Sequence, residues 1–134
     1  MIVPSLITAI LLVRGIRAVE LGDACQKSTF DSVLGDNEKI ERIDAVKKGD
    51  KYGEGEENVA YPINPTNLPE LCAVTVEVET SEISSFRFGL LLPTDWNAKL
   101  LTVGNGGFAG GINWLDMAPG MHRPLSSHLP LDVR

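Results

Sequence analysis

A chain of 134 residues holds one domain at most, and its 43% hydrophobic content is that of an ordinary globular protein. With 12 basic against 18 acidic residues the formal charge is −6, which argues against nucleic acid or an anionic membrane surface as a partner.

Residues 1–18, MIVPSLITAILLVRGIRA, carry an apolar run from Ile7 to Val13, no acid, and Ala18 as a cleavage position. They read as a secretory signal peptide, although the basic residues follow the apolar core; Arg14 and Arg17 interrupt the run too early for a membrane span. Cleavage leaves 10 of the 12 basic residues against all 18 acidic ones, a formal charge of −8 on a secreted chain without membrane attachment. In an oxidising compartment the two cysteines, Cys25 and Cys72, suggest one disulfide; two buried free thiols are the other reading.

A short helix is expected over Cys25 to Leu34, with Ser28 as its cap, Phe30, Val33 and Leu34 on one face, and Gly35 as its end. In KIERIDAVKKGD, Ile40, Ile43 and Val46 recur at helical spacing while the β-branched content suits a strand, and strand is preferred. Residues 49–70, rich in Gly, Pro, Asn and Glu, read as an extended surface connection. CAVTVEVET, residues 72–80, alternates Val74, Val76 and Val78 with Thr75, Glu77 and Glu79, the period of a half-buried strand. A second strand, Phe86 to Pro93, follows a hairpin connection, and residues 93–97 turn around Trp96. KLLTVGNG reads as a third strand, buried on both faces because its apolar residues are consecutive.

Five glycines then crowd into GNGGFAGG, Gly104 to Gly111. Gly104, Gly106 and Ala109 formally match the dinucleotide fingerprint G-x-G-x-x-A. The strand before them comes third rather than first, however, and no long helix or second strand ending in an acid follows. A phosphate-binding P-loop would need a Lys-Ser or Lys-Thr pair after the glycines, which is absent. An oxyanion hole fits the order better, since in α/β-hydrolases a glycine loop after a buried strand turns backbone N–H groups towards the reacting carbonyl. A plain turn is the structural alternative.

LPELCAVTVEV and the run FRFGLLLPTDWNAKLLTVGNGGFAGGINW, with its Asp-Met ending, resemble the N-terminal part of the fungal and bacterial tannase and feruloyl esterase family. The resemblance covers roughly Cys25 to Met117 and is strongest from Leu68 onwards; P-x-x-W-N joined to a strand and to G-N-G-G-x-A-G-x-I is its specific element. It implies an α/β fold, the N-terminal part of a secreted α/β-hydrolase that is locally β-rich, occupying residues 19–121. It further implies a serine carboxylic ester hydrolase acting on small aromatic acid esters such as gallates or hydroxycinnamates, and a Cys25 to Cys72 bridge. Carried onto this sequence, the backbone N–H groups of Gly106 and Gly107 become the oxyanion donors, with Phe108 and Ala109 shaping the floor of the substrate pocket. Family members often bind calcium in a lid domain that these residues do not include, so no cofactor or metal is expected here.

No G-x-S-x-G or Cys-Ser-x-Gly-Gly turn occurs in these residues, so a nucleophile elbow is missing and the chain by itself is expected to be inactive. Ser126 and Ser127 beside His128 lack the separation that a nucleophile and its base usually have, and His122 and His128 read as exposed tail residues without metal-ligand spacing. After Met121 the sequence departs from the family pattern. Residues 122–134 are therefore expected to be a divergent tail, the frame-shifted or alternatively spliced end of a longer esterase gene. The rival expectation is a small secreted β-rich binding protein without catalysis, presenting Trp96, Trp114 and Phe108 as an apolar patch.

Overall fold

The computed structural model describes residues 21–96 and 98–122. The expected signal peptide, Asn97, Ser126, Ser127 and His128 lie outside the described residues.

The fold is a small β-rich unit built on one three-stranded antiparallel sheet in the order β1-β2-β3. Two short helices, α1 (Leu21–Ala24) and α2 (Lys27–Phe30), precede β1 (Glu38–Val46). A long irregular segment containing one 3-10 turn (Gly55–Glu57) leads to β2 (Leu71–Ser81) and β3 (Ser84–Pro93). After the glycine loop come α3 (Trp114–Met117) and α4 (Pro119–His122).

The central strand is buried on both faces at its start, from Leu71 to Val76, and becomes half-exposed only from Glu77 onwards. Its two faces belong to different clusters, as the strand period of two requires. Leu71 and Ala73 pack with Val46, Tyr52, Leu68, Leu91, Trp114 and Ala118. Cys72, Val74, Val76 and Val78 pack with Ile40 and with the half-buried Leu21, Phe30 and Leu34 of the N-terminal segment. The Cys25–Cys72 disulfide, closing a separation of 47 residues, ties that segment to the middle of the sheet.

In β1 a bulge between Ile40 and Arg42 puts Ile40 opposite Val76 and Ile43 opposite Val74, both on the disulfide side. Val46 lies opposite Leu71 on the other side. The three-residue spacing that imitates a helix is thus a strand with one extra residue. The hairpin loop is the pair Glu82–Ile83 between partners Ser81 and Ser84. Neither loop residue has a positive φ, as the usual two-residue turns require, and a register shift between Glu79 and Ser81 accommodates the difference.

Three expectations are corrected. The helix does not run from Cys25 to Leu34: it stops at Phe30, its N-cap is Gln26 rather than Ser28, and no side chain caps it. The chain leaves Phe30 in a turn that buries Leu34 in part but turns Val33 outward, 73% exposed. Residues 99–103 form no strand, and Leu100 is 84% exposed. A strand buried on both faces needs neighbours at both edges, and none pairs with this segment among the described residues. Residues 49–70 are more than a surface connection. Gly49 N–H donates to Leu68 O and Leu68 N–H to Asp50 O, closing the segment into a compact loop that inserts Tyr52 and Leu68 into the core.

The cluster around Leu71 and Ala73 is closed by Trp114, 2% exposed at the start of α3. Its six-membered ring lies over Gly89 of β3, where a Cβ would run into the indole and into Ile112. Asn113 caps α3, its side chain accepting from the N–H of Asp116. This buried tryptophan fixes where the chain re-enters the core after the glycine loop.

Candidate functional site

The glycine loop runs exposed from Gly104 to Gly110 on the side of the molecule that carries residues 54–61. Gly107 has φ +61°, a left-handed backbone that disfavours side chains, so glycine at this point is a requirement of the turn. Phe108 is fully exposed and Ala109 is exposed beside it.

Two residues in the preceding loop hold the glycines in place. Tyr61 Oη accepts a hydrogen bond from the N–H of Gly106 at 2.9 Å. Asn58, only 5% exposed, donates from Nδ2 to Glu54 Oε2 at 2.7 Å and to the carbonyl of Ile112 at 2.9 Å. Its Oδ1 and its backbone carbonyl both accept from the N–H of Tyr61, at 3.1 and 3.0 Å. One anchor therefore grips the loop at Gly106 and the other just beyond Gly111, through Ile112. Because an unpartnered buried amide is costly, Asn58 specifies the path of this segment as well as stabilising it.

Of the anticipated site residues, Gly106, Gly107, Phe108 and Ala109 share this loop, with the Gly106 N–H already engaged. No described residue accepts from the N–H of Gly107 or of Phe108. Tyr61 and Asn58 were not legible as site residues, because they sit in a polar stretch with neither strand nor helix period; the aromatic hydroxyl at Tyr61 amid Gly, Pro and Asn is the only sequence signal.

A cavity of about 390 Å³ lies elsewhere, lined by Leu91, Pro93, Trp96, Leu101, Met117 and Met121 among others, and by none of the four loop residues. Trp96 stands at this cavity 65% exposed, its indole N–H donating to the carbonyl of Lys99. Trp114 is core, so the expected patch of Trp96, Trp114 and Phe108 does not exist as a surface. Among the described residues no three His, Cys, Asp or Glu side chains gather where they could hold a metal ion.

On β1, the other edge strand of the sheet, Arg42 Nε pairs with Asp44 Oδ2 at 2.6 Å and its guanidinium lies over the Tyr52 ring, 5.1 Å from the centroid. Tyr52 Oη donates to the same carboxylate oxygen at 3.0 Å. Burial raises the Tyr52 hydroxyl well above the usual phenol range, opposed by the charge of Arg42. This network braces the loop that carries Asn58 and Tyr61.

Comparison with known proteins gives partial matches to feruloyl esterases. The chain is 40% identical over 55 residues to feruloyl esterase C of Talaromyces stipitatus, a match covering 41% of this chain and 10% of that protein. It is 29% identical over 103 residues to the "Probable feruloyl esterase B-1" of Aspergillus flavus, covering 71% of this chain and 20% of the relative. It is 31% identical over 75 residues to the "Probable feruloyl esterase B-2" of Aspergillus oryzae, covering 50% of this chain and 14% of the relative. The matched parts thus span a fifth or less of these curated relatives. No family model and no solved structure matches.

Proposed function

We propose that the chain is the N-terminal scaffold and oxyanion loop of a secreted α/β-hydrolase, a carboxylic ester hydrolase of the tannase and feruloyl esterase type. Its substrates are small esters of aromatic acids. The observation that carries this reading is the similarity to feruloyl esterases, joined to an exposed glycine loop with uncommitted N–H groups. The disulfide between Cys25 and Cys72 supports an oxidising, extracellular location.

In this reading the nucleophilic serine, its histidine and its aspartate belong to chain beyond residue 134. The serine attacks the ester carbonyl, an acyl-enzyme forms, and water releases the acid. Residues 21–122 contribute a rigid sheet, the anchored loop and the donors that receive the developing oxyanion. The chemistry requires no cofactor, and residues 1–134 by themselves supply no nucleophile turn.

The test is to express the complete open reading frame and incubate the purified protein with methyl ferulate, methyl gallate and a fluorophosphonate label. Release of free acid together with labelling at one serine supports the reading. No hydrolysis and no label overturns it. Labelling of residues 19–134 alone would overturn the assignment of the nucleophile to later chain.

A binding module is the second reading, favoured by the apolar cavity beside the exposed Trp96. Quenching of Trp96 fluorescence by ferulate or another aromatic acid, without ester turnover, would identify it.

A further inference from the structure

Resting on the esterase reading, we infer that the hydroxyl of Tyr61, rather than the N–H of Gly106, is the oxyanion donor that pairs with the N–H of Gly107. The Gly106 N–H has one proton, and it points at Tyr61 Oη, 2.9 Å away. While that bond holds, Gly106 has nothing to give a substrate oxygen. A phenol oxygen that accepts one hydrogen bond still has its own O–H to donate. Among the described residues nothing accepts from it.

The accepted bond has a second consequence. Hydrogen bonds in a chain polarise one another, so a phenol receiving the Gly106 proton is a better donor at its own hydrogen. Gly106 thereby becomes a positioning residue, which holds and polarises the tyrosine without touching the substrate.

Oxyanion donors are effective when they are fixed before the reaction. Tyr61 is fixed at both ends. Its backbone N–H is shared by the Oδ1 and the carbonyl of Asn58, and Asn58 is itself buried and clamped between Glu54 and Ile112. Its hydroxyl is moored to Gly106. At Gly107 the positive φ redirects the backbone within the loop, and its N–H has no described acceptor.

The serine Oγ bonds to the carbonyl carbon, the C=O π pair moves onto the carbonyl oxygen, and the serine proton passes to the histidine. That oxygen accepts from Tyr61 O–H and Gly107 N–H; both protons stay on their own atoms. Collapse restores the C=O, the C–O bond to the alcohol breaks, and the alcohol leaves with the proton from the histidine. Water then repeats the sequence and frees the acid and the serine.

The test uses the complete protein. In Tyr61→Phe, kcat for methyl ferulate is expected to fall about 100-fold or more, the scale of losing one oxyanion donor, with KM within about twofold of the parent. Affinity for a trifluoromethyl ketone, which forms a tetrahedral adduct, falls by a similar factor. Replacing Tyr61 with 3,5-difluorotyrosine, whose hydroxyl ionises at lower pH, keeps the ring and the mooring and draws the alkaline limb of the kcat profile downward. A purely structural tyrosine would leave that limb where it is. If the parent hydrolyses the ester and Tyr61→Phe retains kcat, or the difluorotyrosine profile does not move, the inference is overturned while the esterase reading stands. A parent that hydrolyses nothing overturns the reading itself, and this is evident before any variant is compared.

Discussion

The rings of Tyr52 and Trp114 meet edge to face, centroids 5.0 Å apart and planes at 89°. Tyr52 comes from the loop before β2 and Trp114 from the helix after the glycine loop, so this contact joins the two segments that carry Tyr61 and Gly106. Edge-to-face pairs contribute about 0.5–1.5 kcal/mol beyond area burial, and here the pair also closes one side of the core. The position of the glycine loop is therefore set by packing some distance away from it.

Tyr52 gives the fold an alkaline limit. Burial raises its hydroxyl in the folded chain, whereas in the unfolded chain it ionises near pH 10. Above that pH the unfolded chain has lost a proton that the folded chain keeps, so stability is complete below about pH 10 and falls as pH rises towards the folded value. Tyr52→Phe is expected to flatten this fall, at a cost of about 1 kcal/mol at neutral pH for the lost bond to Asp44. Urea midpoints at pH 8, 9.5 and 11 measure both effects. A remaining slope belongs to groups such as Lys39, raised by its hydrogen bond to Glu77.

Gly89 and Trp114 are matched in shape. Gly89→Ala is expected to destabilise by about 1–3 kcal/mol, because the new methyl group meets the indole and Ile112 in a filled core. Combining it with Trp114→Leu should cost less than the two changes added together, since the leucine vacates the space that the methyl enters. Denaturant midpoints of the four proteins decide it; strict additivity would mean that the strand moves away instead.

The central strand was legible because its valines alternate over a long run, and so was the hairpin that follows it. β1 was ambiguous because the bulge at Glu41 shifts the phase of Ile40 and Ile43, and a bulge has no composition of its own. KLLTV has the pattern of a strand buried on both faces, yet pattern records only what a segment can bury, and no described strand supplies the covering. The cysteines could be paired because only two exist. Asn58 and Tyr61 escaped for a different reason: their role depends on which loop lies beside them, a relationship between residues 45 or more positions apart that no local window contains.

The Cys25–Cys72 bridge closes a long loop, and its removal by Cys25→Ser with Cys72→Ser is expected to cost about 4 kcal/mol by loop entropy. The loss should appear first as release of the segment bearing Leu21, Phe30 and Leu34, which cover Cys72, Val74 and Val76. Hydrogen exchange with and without reductant would record it as faster exchange at Cys25 and Leu34, whose N–H groups bond within that segment. Unchanged exchange there would mean that apolar contact alone keeps the segment docked.

Asn58 is the most demanding residue in the candidate site, because its amide works in both directions at once. Asn58→Ala removes the donors to Glu54 and to the carbonyl of Ile112 and one acceptor for Tyr61, for an expected loss of about 1–3 kcal/mol. Asn58→Asp is expected to be worse at pH 7 although it is nearly the same size. The new carboxylate keeps an acceptor for the N–H of Tyr61, but it faces the carboxylate of Glu54 and the carbonyl oxygen of Ile112 with no proton to offer either, in a site that excludes water. Like charge and burial raise the pKa of that carboxyl in the folded state, so stability is regained as pH falls and protonation restores one donor. Thermal unfolding of the parent, Asn58→Ala and Asn58→Asp at pH 7 and pH 5 separates these effects. The aspartate variant should gain on the alanine variant at the lower pH, and equal behaviour of the two at both values would mean that Glu54 and Ile112 do not need the amide and that the loop is held by Tyr61 alone.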